Sequence, residues 1–221
     1  MTAGKKIASP GNGRFITLEG GEGAGKSTQA RLLAAALAAE GLPVLTTREP
    51  GGSPGAEAVR GLLLGDAVAK WDGVAECMLH FAARREHVVA TIRPALAAGT
   101  WVVCDRFADS TLAYQCFGQG VARSVWDRLA EVALEGLRPD LTLVLDIAPE
   151  HGLGRAIARG DANRYERLDS DFHARVHAGF RAIAAAEPER CVLLDATDTE
   201  AGVAAAILRT VRARFALGSA G

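Results

Sequence analysis

The 221-residue sequence predicts an α/β fold, a five-stranded parallel sheet with helices on both faces, in a single domain. Three observations carry that prediction. Short strand-like runs alternate with helical segments from one end of the chain to the other. The central run, Trp101-Val102-Val103-Cys104, is nearly all apolar, as a parallel strand buried on both sides must be. The first run passes straight into a glycine-rich loop and then a helix.

The elements follow in order. Phe15-Ile16-Thr17-Leu18 predicts a first strand, with a helix over 29–40 beyond the glycines. Gly41-Leu42-Pro43 stops that helix, and Val44-Leu45-Thr46-Thr47 predicts the second strand. It ends in the polar turn Arg48-Glu49-Pro50-Gly51-Gly52, at a strand carboxyl end, where ligands of open α/β sheets collect. A short helix is expected over 56–64, and one or two helices over 71–98, carrying His80, Phe81, Arg84 and Arg85. The third strand, 101–105, stops abruptly at Asp105-Arg106. Helices are predicted over 110–115 and 124–137, then a fourth strand, 141–146, with an acid at its end. A helix over 149–160 leads through an arginine-rich connection to Glu166, and another runs over 169–186. A fifth strand, 191–195, and a closing helix over 199–217 complete the set. The domain is expected over 14–217, with a lid around 153–167 and tails at 1–13 and 218–221.

A net charge of −1 gives no global field that would favour nucleic acid or a membrane surface. No apolar run approaches the ~18 residues a membrane span needs, and no signal peptide is expected. Cys77, Cys104, Cys116 and Cys191 lack CxxC spacing and are expected as reduced thiols of a cytoplasmic protein.

The glycine-rich stretch is Gly20-Gly21-Glu22-Gly23-Ala24-Gly25-Lys26-Ser27-Thr28: a glycine, four residues, then Gly-Lys-Ser. This is the spacing of a P-loop. Glycines without a Cβ let the backbone wrap and aim N–H groups inward, and the helix start adds partial positive charge. Lys26 is expected to reach the β- and γ-phosphates of a nucleoside triphosphate, and the Ser27 hydroxyl to join a Mg²⁺ shell. The fold expected is therefore that of a P-loop NTPase.

Phosphoryl transfer needs positive charge around the moving group, an acceptor in line and water excluded. Arginines stand ready in three places: Arg84-Arg85, Arg106, and the group Arg155, Arg159 and Arg164. Arg106 follows a buried strand end, where it could clamp an acceptor phosphate, and Asp105 could orient it or a metal-bound water. Arg155 and Arg159 are four apart and share a helix face, so a lid there could bring charge over the phosphates. The plain alternative is an exposed helix end with solvated basic residues.

Further segments name a family. Thr47-Arg48-Glu49-Pro50-Gly51-Gly52, Ala82-Ala83-Arg84-Arg85-Glu86-His87, Asp105-Arg106 with Ser110-Thr111 and Tyr114-Gln115, and 138–146 together make the chain resemble bacterial thymidylate kinase from about Phe15 to the last helix. The resemblance implies ATP as donor, Mg²⁺, dTMP as acceptor and a homodimer. It implies that Lys26 and the Gly20 to Ser27 backbone hold ATP, and that Arg48, Arg84, Arg106 and Ser110 line the dTMP site. Arg84 and Arg106 would lie near the dTMP phosphate, Thr111 and Gln115 would face thymine, and Tyr114 would pack on the deoxyribose. Glu22 and Glu166 match family acids near the metal or acceptor. The bacterial subtype the chain resembles lacks an arginine in this loop and takes a catalytic one from the lid. Residues 21–24 contain none, so the resemblance implies a lid arginine here, with Arg155, Arg159 and Arg164 available. The chain departs from the family at His80, where a phenylalanine usually stacks on thymine. Phe81 is next along but points about 100° away on a helix, so either ring is a candidate. The rival functions are the same transfer to another monophosphate or a deoxynucleoside, and a nucleotide-dependent regulatory ATPase.

Overall fold

The computed structural model describes residues 13–65, 71–158 and 164–217. Its five strands are β1 (Phe15–Glu19), β2 (Val44–Arg48), β3 (Trp101–Asp105), β4 (Leu141–Asp146) and β5 (Cys191–Asp195). All pair in parallel, in the order β2-β3-β1-β4-β5. The three strands in the middle are buried almost throughout, whereas β2 and β5 at the edges are partly exposed. That difference is why β1, β3 and β4 read as apolar runs.

Strand alternation sorts the core into two faces. Ile16, Leu18, Val103 and Leu143 pack on Leu33 and Leu37 of α1 (Lys26–Ala39) and on Val203, Ile207 and Val211 of α9 (Glu200–Phe215). Phe15, Val102 and Cys104 point the other way, against Cys77 and Phe81 of α3 (Gly73–His87) and Ala133 and Leu134 of α6 (Arg123–Leu134). On the same side, α8 (Ser170–Ala186) supplies Phe172, Val176 and Phe180 to a cluster with Val144 and Tyr114.

Helix starts follow their caps. Ser53 caps α2 (Pro54–Leu64), with proline in its first turn, so this helix begins ahead of the expected 56. Asp72, Asp169 and Thr199 cap α3, α8 and α9. After α3 the chain stays helical, through a wide-turned π stretch (Val88–Ile92) into α4 (Arg93–Ala97). Pro94 has no N–H and crowds the preceding turn, which a wider turn relieves. A second π stretch (Leu112–Gly118) extends α5 (Ala108–Thr111) where an ordinary helix was expected over 110–115. α6 stops at Leu134 rather than 137, because Glu135 and Gly136 both adopt left-handed backbone.

The predicted tail residues 1–12 and 218–221 lie outside the described residues, as does the lid segment 159–163 with Arg159. The remainder of the stretch expected as a lid, 153–167, falls on the second half of α7 (Pro149–Ala158) and a short 3₁₀ turn (Tyr165–Arg167). Cys77, Cys104 and Cys191 are buried and Cys116 partly so, all as free thiols. Among the described residues no helix is long and apolar enough to cross a membrane.

Candidate active site

The carboxyl ends of β1, β2 and β3 open into a cavity of about 480 Å³. One wall is the loop after β1 and the start of α1, with Glu22, Gly23, Gly25, Lys26, Ser27 and Thr28. Arg48 and Glu49 enter from β2, His80 and Arg84 from α3. Asp105 and Arg106 come from the end of β3, and Ser110, Thr111, Tyr114 and Gln115 from the helical stretch behind it. Tyr165 and Glu166 join the wall from the 3₁₀ turn. Residues scattered over most of the chain thus meet in one place.

The loop has the conformation a phosphate cradle needs. Gly23 and Gly25 sit at φ 66° and 88°, and a Cβ on Gly23 would stand 1.8 Å from the Gly152 carbonyl. Gly25 precedes α1, so N–H groups of the first turn are left for a ligand. The Lys26 ammonium donates to the Gly21 carbonyl at 2.6 Å. Burial, reinforced by Arg106, lowers the Lys26 pKa to about 8, with Glu22 and Asp105 opposing the drop. Ala24 is turned into the core, and the Gly20 carbonyl accepts from Arg106.

Ser27 Oγ donates to Asp105 Oδ2, while Asp105 Oδ1 is buried with no partner among the described residues. A hydroxyl and a carboxylate at a strand end, with one carboxylate oxygen unused, suit Mg²⁺, which takes few protein ligands beside phosphates and water. No group of three or more His, Cys, Asp or Glu side chains gathers as a metal cluster among the described residues. Glu22, expected with Ser27 at the metal, is held by two donors at one of its carboxylate oxygens. Its Oε1 accepts from Arg106 Nη2 at 3.0 Å and from the Tyr114 hydroxyl at 2.7 Å. Burial pulls the Glu22 pKa upward, but Arg106 and Lys26 outweigh it and the net shift is down.

Arg106 is the hub of this end. It sits at φ 70°, a left-handed conformation that a non-glycine residue adopts only when its surroundings impose it. Its N–H donates to the Leu18 carbonyl at 2.9 Å. Its Nη1 donates to the Gly20 carbonyl at 3.0 Å and Ser110 Oγ at 3.1 Å, and its Nη2 also donates to the Tyr114 hydroxyl at 3.1 Å. Beneath it, the sealed Glu19 carboxylate accepts from the Phe107 N–H and Ser110 Oγ. Burial, then the nearby Asp109, raises the Glu19 pKa to about 7.

Arg84 lines the same cavity from α3. Its side chain is 2% exposed, with Nε on Glu49 Oε2 at 2.7 Å and Nη2 on the Phe107 carbonyl and Thr111 Oγ1, both at 3.0 Å. Its Nη1 has no partner among the described residues. Glu49 Oε1 also meets His87 Nδ1 at 2.9 Å, and His87 Nε2 meets Thr47 Oγ1 at 2.8 Å. The TREPGG segment therefore builds the support for Arg84, while Arg48 lies over Glu57 with its side chain 54% exposed.

His80 lines the cavity, its Nε2 2.8 Å from the Tyr165 hydroxyl. Burial and the charge of Arg84 push its pKa down to about 3, so the ring is neutral. Phe81 is absent from the cavity wall; it is buried edge-on against Trp126, with Arg84 over its face. The 100° step along the helix explains the split: one ring faces the cavity, the next the core. Arg155 also lies away from the wall, donating to the Ala196 carbonyl. Arg164 pairs with Glu76.

Glu76 escaped the sequence reading. It has no exposed surface, and its Oε1 accepts from Gln115 Nε2 and Gln119 Nε2, each at 2.8 Å, and from the Tyr165 hydroxyl at 2.9 Å. A signal was present: Glu76, His80 and Arg84 are four apart, which puts an acid on the helix face that carries the site.

Comparison with known proteins agrees with this geometry. A family model described as thymidylate kinase matches residues 18–207. The chain is 53% identical over 205 residues to a thymidylate kinase of Caulobacter vibrioides, covering 93% of this chain and 99% of the relative. It is 53% identical over 207 residues to a thymidylate kinase of Gluconobacter oxydans, covering 91% and 95%. The crystal structure of thymidylate kinase from Ehrlichia chaffeensis superposes with a TM-score of 0.73 at 34% identity, covering 90% of this chain and 99% of that one.

Proposed function

The chain belongs to the thymidylate kinase family, and we propose that its own cavity passes the γ-phosphoryl group of ATP to dTMP, forming dTDP and ADP. The observation that carries this reading is a single cavity holding a phosphate loop, Arg106 and Arg84 together. A regulatory ATPase has no use for the second and third of these.

The loop 20–28 and Lys26 would hold the ATP phosphates, and Arg106 the phosphate of dTMP. Arg106 needs no search for its pose, since its fork is already held by the Gly20 carbonyl, Glu22, Ser110 and Tyr114. Fixing acceptor and donor in this way converts transfer into a unimolecular displacement, with no covalent intermediate on the protein. Mg²⁺, held by Ser27 and Asp105, would neutralise charge on the transferring phosphate oxygens when bound. The lid would supply the remaining positive charge through Arg155 or Arg159, and would exclude water on closing. Arg155→Ala and Arg159→Ala measured for kcat separate the two.

The base would lie at the Arg84 end. Arg84 is bonded to Thr111, which supports a role beside the base rather than beside the phosphate, as the resemblance had it. Its partnerless Nη1 suits a carbonyl such as thymine O4, and the partnerless Gln115 Oε1 suits the N3–H. Neutral His80 fits as the stacking ring, and the Tyr114 ring as a barrier to a 2′-hydroxyl.

A homodimer is supported by exposed apolar side chains on α3, the π stretch after it and α6, namely Met78, Val89 and Val132. Four free thiols fit a reducing cytoplasm. The test of function is acceptor dependence: ADP release should require dTMP and match dTDP formed. ATP hydrolysis indifferent to any monophosphate would overturn the reading.

A further inference from the structure

A carboxamide is nearly symmetric in shape, yet its two ends have opposite hydrogen-bonding sense. Gln115 lines the cavity with such an amide, and whichever end meets the substrate decides which base edge it accepts. Rotating the amide by half a turn about its last bond would swap acceptor for donor at almost no steric cost. Something must therefore hold it.

Glu76 is placed to do so. Its carboxylate is entirely buried and faces Gln115 at 2.8 Å. An ionised carboxylate only accepts hydrogen bonds, so the amide must turn its NH₂ toward Glu76. The Gln115 carbonyl oxygen then has no partner among the described residues, and a ligand can satisfy it. The carboxylate is itself pinned by Arg164, the Tyr165 hydroxyl and Gln119 Nε2. Each of these partners donates to Glu76, which leaves the side chain no freedom to swing away.

We propose that Glu76 is a positioning residue for base selectivity, holding the Gln115 amide so that its acceptor end meets the substrate. It thereby requires a pyrimidine with a protonated N3. The proposal rests on the reading of this cavity as a thymine site. A 4-amino pyrimidine offers a lone pair at N3, which would face the Gln115 oxygen, and an NH₂ that would face Arg84. Both juxtapositions are repulsive, and rejection of this kind is stronger than a mere lack of contact.

The test compares dTMP with 5-methyl-dCMP, which differ only along the edge concerned, as acceptors with saturating MgATP. Glu76→Gln keeps the size but offers a C=O or an NH₂, so it no longer dictates the orientation of Gln115. Its kcat/KM ratio for dTMP over 5-methyl-dCMP should fall at least tenfold relative to the wild type, with KM for ATP unchanged. A merely structural role would lower both acceptors together and leave the ratio intact; an unchanged ratio overturns the proposal. Glu76→Asp retains an acceptor-only group and should keep most of the preference, and a loss equal to that of Glu76→Gln would also overturn it. If Glu76→Gln proves insoluble, Glu76→Ala, which likewise removes the acceptor-only group, takes its place under the same criteria. Failure of the thymine reading looks different, because the wild type itself would then not prefer dTMP.

Discussion

Arg84 and Glu49 form an ion pair sealed from water, Nε to Oε2 at 2.7 Å, with side chains 2% and 3% exposed. His87 holds the other Glu49 oxygen at 2.9 Å. The pair joins the end of β2 to α3 and holds the guanidinium at the cavity wall. Pairs of this kind hold geometry more than they add stability, because desolvation offsets most of the attraction.

Removing one partner is a different matter. Glu49→Ala leaves Arg84 charged and buried without its counterion, and is expected to destabilise the fold by about 3–5 kcal/mol. Urea unfolding monitored by circular dichroism measures that loss. In whatever fraction stays folded, KM for dTMP should rise while KM for ATP stays near the wild-type value.

Arg106→Ala should lower kcat/KM for dTMP about 10²–10³-fold, the scale seen when a preorganised donor is removed from a reacting group. Arg106→Lys should not restore it, since an ammonium has too few donors to hold the Gly20 carbonyl, Glu22, Ser110 and Tyr114 in place and so cannot fix its charge where the guanidinium does. Steady-state kinetics with dTMP varied checks both, and near-normal activity in Arg106→Ala would contradict the assigned role.

Chelation should abolish transfer and added Mg²⁺ should restore it. Asp105→Asn keeps the shape but loses the charge beside Ser27, so it should move half-maximal activation to at least tenfold higher free Mg²⁺. Glu22→Gln, whose carboxylate serves Arg106 and Tyr114, should shift the dTMP dependence more than the Mg²⁺ dependence. Titrations of rate against free Mg²⁺ distinguish the two.

His80 carries a pH signature. Burial, with Arg84 beside it, lowers its folded pKa from the ordinary 6.5 to about 3, so the unfolded chain binds the extra proton between those values. The contribution of His80 to stability is whole above about pH 6.5 and is lost progressively as pH falls toward 3. Glu19 runs oppositely: burial raises its pKa from 4.5 to about 7, so its contribution is whole below 4.5 and fades as pH rises through 7. His80→Phe removes the first effect alone. Its Tm relative to the wild type should therefore climb as pH is lowered from 6.5 toward 4.5, and a constant difference would refute the assignment.

Much of the frame was legible because it is written locally. β3, β4 and β5 have the bounds expected from their apolar runs, since a strand with both faces covered needs an apolar side chain at every step. The phosphate loop was legible for a similar reason: glycine spacing, lysine and helix start act within nine residues. The widened turns at 88–92 and 112–118 were not, because they answer to packing and to Pro94 rather than to a pattern of their own.

What the sequence determined by itself was the parallel sheet, the phosphate loop, and the set of side chains from which a site would be drawn. What only the tertiary structure decided was their employment. It turned His80 to the cavity and Phe81 to the core, gave Asp105 to Ser27 and Glu22 to Arg106, and set Glu76 behind Gln115. Those choices join residues far apart in the chain, 78 positions for Ser27 and Asp105 and 89 for Glu76 and Tyr165. The direction of a side chain across such a gap depends on how each helix is rotated against the sheet. That rotation is set by the packing of whole faces, which no short stretch of sequence encodes.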